Sequence, residues 1–133
     1  MYVHAKQREF DEILRALFEE VDRRLEDRWP LAYARHPNRP ERGVTADPSA
    51  DGLFEVAADF TAGIGSGLGR GYLVSVRVAT LEDVPVDRFE AFMTEAAGTV
   101  SELLPRYFPG RELGVARDGP RFKITGDFSL GSL

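Results

Sequence analysis

The chain has 133 residues, 43% hydrophobic and 29% charged, with a formal net charge of −5 and no cysteine. That length suits a single domain, residues 1–133, and the ordinary residue balance excludes fibrous and disordered classes. Acidity argues against nucleic acid and anionic membranes as partners, because both need a basic face, and the missing cysteines exclude disulfides, thiol nucleophiles and cysteine-ligated metals. The opening MYVHAKQREF lacks the apolar core of a signal peptide, and no run approaches the ~18 apolar residues of a membrane span, so a cytoplasmic protein is expected.

Phe10, Ile13, Leu14, Leu17, Phe18, Val21 and Leu25 recur at the spacing of one helical face, and Trp29 continues the row. Pro30 ends this first helix by disfavouring the α conformation at the residue before it. Glu19, Glu20, Asp22, Glu26 and Asp27, among Arg23 and Arg24, read as its solvated face. Residues 30–52 follow, with four prolines and no clear period. A connection of that length inside a compact domain is expected to be mobile or functional. It holds the only local basic concentration, Arg35, His36, Arg39 and Arg42, with Trp29 and Tyr33 close by. Arg35 and Arg39 are therefore candidates to hold a small anion or an acidic peptide. Residues 49–104 carry nine acids against three arginines, which again disfavours nucleic acid.

Residues 53–80 read as one long β-ribbon. Phe54, Val56, Ala58 and Phe60 alternate with Glu55 and Asp59; Tyr72, Val74, Val76 and Val78 alternate with Ser75 and Arg77. Both apolar faces must meet one core, which pairs Phe60 with Tyr72 and Val56 with Val76 and centres the turn on Ser66. On the other face this register sets Glu55 opposite Arg77, a pair not used to choose it. Glycine occupies 63, 65, 67, 69 and 71, and the reading runs the strands on past them. Ile64 then faces Leu68 around a Gly65-Ser66-Gly67 loop, with Gly67 in the left-handed position. A strand from Leu53 to Ile64 would span ~40 Å. A covering helix of about 20 residues spans only ~30 Å, so the tip overshoots its cover. Ile64 and Leu68 are thus expected at an interface with a second copy, or else covered by the ribbon curling over its own core, the glycines permitting the bend.

The glycines do not match a phosphate loop. G-x-G-x-x-G would need glycine where Leu68, Arg70 or Tyr72 stands, and such cradles lead into a helix N-terminus rather than a second strand. A backbone nest with Ser66 and Arg70 remains a candidate anion site. The second helix is predicted from about Val84 to Leu104, on the stripe Phe89, Phe92, Met93, Ala96, Ala97, Val100, Leu103 and Leu104. Pro105 and the FPG at 108–110 close it. A second hairpin follows, with Asp118-Gly119 read as a type I′ loop that pairs Val115 with Phe122 and Leu113 with Ile124. Phe128 and Leu130 continue the alternation.

Chemistry is sparse. His4, in a frayed start, and His36, in a loop, lack a second ligand at metal-binding spacing. Glu55 and Asp59 stand ~13 Å apart along one strand face, too far for the usual carboxylate pair. No cofactor or metal is indicated. The expected fold is α+β, a four-stranded antiparallel sheet of two hairpins with two helices on one face, in the order α-β-β-α-β-β. The expected function is a non-catalytic, homo-oligomeric binding or regulatory module. A small-anion-binding protein, or an enzyme whose site is dispersed along the chain, are the alternatives.

Overall fold

The computed structural model describes residues 2–65, 67–126 and 128, with side chains from residue 5 onward. Helix α1 (Tyr2–Arg28) leads through the 30–52 connection to strands β1 (Phe54–Thr61) and β2 (Gly71–Val78). Helix α2 (Val86–Tyr107) precedes β3 (Leu113–Asp118) and β4 (Arg121–Gly126). The strands form one antiparallel sheet in the order β1-β2-β4-β3, the expected α+β arrangement. The second hairpin docks through its later strand, so β1 and β3 are the two edges.

The predicted stripes become the core. Phe10, Leu14, Leu17, Phe18, Val21 and Leu25 of α1 are buried with Phe92, Val100, Leu103 and Leu104 of α2. They pack against Phe54, Val56, Val74, Val76 and Ile124 of the sheet. Each such side chain contributes roughly 1.5–3 kcal/mol by leaving water. The helices are also clasped directly: Arg24 meets Glu102 at 2.7 Å, Trp29 Nε1 donates to Glu95 at 2.7 Å, and the Tyr107 hydroxyl donates to Glu20 at 2.6 Å. The Tyr107 bond is the main reason the Glu20 carboxyl lies below its usual value. The first helix stops one residue before Trp29, and the second starts two residues later and ends three residues later than predicted. α1 begins at Tyr2, so His4 stands in a helical turn and not a frayed start, and α2 runs through Pro105 to Tyr107.

The first hairpin has the predicted register. Phe60 pairs with Tyr72, Val56 with Val76 and Glu55 with Arg77, whose side chains form an ion pair at 2.7 Å. The ladder stops sooner than the alternation suggested, at Thr61 opposite Gly71, and residues 62–65 and 67–70 take no part in it. Gly63, Gly65 and Gly69 take positive φ. A Cβ on Gly63 would lie 2.1 Å from the Gly69 carbonyl. Backbones that close, in left-handed conformations, cannot sustain a pleated ladder.

The second hairpin corrects the sequence reading by two residues. Asp118 pairs with Arg121, Arg117 with Phe122 and Val115 with Ile124, leaving Gly119-Pro120 as the loop. Gly119 has φ +63°, and proline fixes φ near −65°, the combination a type II′ turn needs. A shift of two keeps every side chain on its face, so the alternation could not distinguish the two registers. The observed one brings Asp118 Oδ2 to 2.9 Å from the Lys123 ammonium.

Candidate functional site

The free edge of β1 is where the protein's charged groups converge. Across the ribbon the Ala79 N–H donates to the Leu53 carbonyl at 2.6 Å. Odd residues of β1 therefore bond to β2, and the even ones, Phe54 to Phe60, aim their amides and carbonyls away from the sheet. Helix α1 runs beside this edge. Its Glu26 accepts from the amides of Leu53 at 3.0 Å and Phe54 at 3.3 Å, and Asp22 accepts from that of Val56 at 3.1 Å. Both carboxylates are buried. Burial pushes the Asp22 carboxyl up to about 8 and raises Glu26 as well, against the amide bonds that favour their charged forms.

The 30–52 connection completes the same end of the edge. Arg39 Nε donates to the Gly52 carbonyl at 3.0 Å, and its Nη2 reaches the carbonyls of Ser49, Phe54 and Asp51 at 2.7–3.0 Å. The Asp51 carboxylate, itself buried, accepts from the amides of Gly43 and Thr45 and the Thr45 hydroxyl. The His36 amide donates to the Ala79 carbonyl at 2.7 Å, pinning the connection to the end of β2. This long, proline-rich segment is packed as a cap on the start of β1.

Beyond Val56 the capping ends. The next position on the α1 row of Glu26 and Asp22 is Phe18, which has no acceptor to offer. Here a cleft of about 340 Å³ opens between α1 and β1, with an apolar floor of Leu14, Phe18, Val56, Ala58 and Tyr72. Its rim carries Asp11, Arg15, Glu19, Asp47 and Ser49. The strand then ends in an apolar tip: Phe60 is 63% exposed, Ile64 97% and Leu68 41%.

The residues singled out from sequence fall at opposite ends of β1. Arg35 and Arg39 are brought together, Arg35 Nε donating to the Arg39 carbonyl at 2.8 Å, and the guanidinium donors of Arg39 turn inward onto backbone. Arg70 is exposed on the connection of the first hairpin with Ile64 and Leu68, while Ser66 lies outside the described residues. His36 Nδ1 accepts from the Asn38 amide at 3.0 Å. Asp22 and Glu26 belong to no solvated face, which corrects the sequence reading. Their signal was present: they continue the row Leu14–Phe18 at intervals of four. Lys123 was also missed. It is 1% exposed, its ammonium 2.8 Å from the Gly69 carbonyl, tying the connection of the first hairpin to β4.

Among the described residues no group of histidines, cysteines and carboxylates is placed to hold a metal, and no helix is long and apolar enough to cross a membrane. The molecule is thus a two-helix, four-stranded open-sheet module with one capped and one open stretch of edge. The chain belongs to a family described as "Uncharacterised protein", which matches residues 5–126 and so takes in all four strands and the cleft. It is similar to an "Uncharacterized protein" of Borreliella burgdorferi (strain ATCC 35210 / DSM 4680 / CIP 102532 / B31). The two are 37% identical over 124 residues, covering 93% of this chain and 97% of the relative. No solved structure matches.

Proposed function

We propose that this protein is a non-catalytic, self-associating binding module in which a second copy covers the tip of the first hairpin. The exposure of Ile64, 97%, on a strand end that also presents Phe60 carries the reading. A monomer leaves this apolar tip in water, and burying it against another copy gains about 25 cal/mol for each Å² covered. The two carboxylates that burial raises support a binding role over a catalytic one, since Asp22 and Glu26 hold backbone amides of β1. The ion pair of Glu55 with Arg77 and the bond from the Lys123 ammonium to the Gly69 carbonyl brace the ribbon that presents the tip.

Sedimentation velocity over a concentration series tests this. Wild type is expected to self-associate, and Ile64→Asp to weaken that association at least tenfold with an unchanged far-UV spectrum. A wild-type chain that stays monomeric, or an Ile64→Asp chain that associates as well as wild type, refutes it.

A further inference from the structure

The capped and open stretches of the β1 edge differ in a way that points to a ligand. Unpaired strand edges invite foreign strands, and proteins ordinarily block them. Here the protein buries two carboxylates and an arginine to satisfy the Phe54 amide and carbonyl and the Val56 amide. The blocking then stops. The outward amides and carbonyls of Ala58 and Phe60 have no partner among the described residues, although α1 still runs alongside. The apolar cleft opens at that point, its floor carrying Phe18 where the helical row would have supplied a third carboxylate.

We propose that this open stretch receives an extended segment of another protein, added antiparallel or parallel to β1 as a fifth strand, with apolar residues alternating with lysine or arginine. An added strand would exchange main-chain hydrogen bonds with Ala58 and Phe60, and alternate side chains would point into the cleft. Its volume, about 340 Å³, is at the lower end of the range of ligand pockets and admits aliphatic side chains. The charge of the segment follows from the rim, where Asp11, Glu19 and Asp47 outnumber Arg15. Asp59, exposed on the opposite face of the same strand, adds a further negative charge. Charge also argues against a second copy on this edge. Each copy carries a net −5, and two β1 strands related by a two-fold axis would bring their own Asp59 and Glu55 side chains together. The surface meets the tip only at Phe60, through that residue's backbone, and the Ile64→Asp chain separates the two readings.

The probe is a fluorescein-labelled nine-residue peptide alternating lysine and valine between terminal glycines, followed by fluorescence anisotropy against the full chain. The comparison peptide has glutamate in place of lysine. Binding of the basic peptide is expected at least tenfold tighter than that of the acidic one, and weaker as salt rises. Ala58→Pro removes the outward amide at a position where an edge strand tolerates proline, and is expected to lose at least tenfold in affinity. In ¹⁵N-labelled wild-type protein, the Ala58 and Phe60 amides are expected to gain hydrogen-exchange protection when the peptide is added, a readout that holds even if Ala58→Pro fails to fold. Repeating the titration with Ile64→Asp separates this surface from self-association, and binding is expected to be unchanged. The proposal is overturned if the acidic peptide binds equally well or if the two amides stay unprotected with peptide present. It is equally overturned if, in the Ile64→Asp chain, they become protected by raising protein concentration alone, which would assign the edge to a second copy.

Discussion

Asp22 and Glu26 lie one helical turn apart, and each carries its carboxyl into the interior to accept from an amide of β1. Because burial raises the Asp22 carboxyl from 3.8 to about 8, the native chain retains a proton that the unfolded chain has already released across that interval. Stability attributable to this group therefore falls as pH rises from about 4 to about 8, and is level above. Asp22→Asn keeps an acceptor for the Val56 amide and removes the titration. We expect its stability relative to wild type to improve steadily across the window, reaching about 1–2 kcal/mol in its favour near pH 9, read by urea denaturation. A difference independent of pH would show that this carboxyl does not titrate there. Arg39 is the complementary case. Its truncation to alanine strands the carbonyls of Ser49, Asp51, Gly52 and Phe54, with an expected loss of about 3 kcal/mol. Arg39→Lys should recover little of it, since an ammonium cannot reproduce the planar fork.

At the scale of elements, the sheet depends on how β2 meets β4. Their paired rungs are two, Tyr72 with Ile124 and Leu73 with Lys123, far fewer than within either hairpin. Gly71 lets the backbones come together at the end of this junction: a Cβ there would lie 2.2 Å from the Ile124 carbonyl and 3.1 Å from the Lys123 side chain. Gly71→Ala must push the second hairpin away. The expected cost is at least about 2 kcal/mol, seen as a lowered melting temperature. Gly114→Ala, which meets nothing within 4 Å and has no positive φ, is expected to be nearly neutral. Equal effects of the two substitutions would count against this account of the junction.

For the whole molecule, the two proposed surfaces differ in the force that drives them, so salt separates them. Self-association through Ile64 is apolar, and copies that each carry −5 repel one another, so raising salt screens that repulsion and should leave association unchanged or stronger. Capture of a basic strand at the cleft is partly electrostatic and should weaken over the same series. Sedimentation and anisotropy run side by side from about 0.05 to 0.5 M salt check this. Parallel trends in both would mean that one surface is responsible for both.

Periodicity alone carried the element order, both helical stripes and the register of the first hairpin, because burial against one core forces alternation and spacing to agree wherever side chains take sides. That is why Phe60 opposite Tyr72 was legible. The same signal is silent about a shift of two residues, so the choice between Asp118-Gly119 and Gly119-Pro120 fell to turn geometry and to the Lys123–Asp118 pair. It is silent too about which hairpin strand docks beside β2. Asp22 and Glu26 looked like solvated charge, and Arg39 like a holder of anions, because hydropathy counts side chains and takes no account of unpaired backbone. Only once the fold made β1 an edge were there amides and carbonyls for those charges to hold, and only then did the uncapped stretch at Ala58 exist.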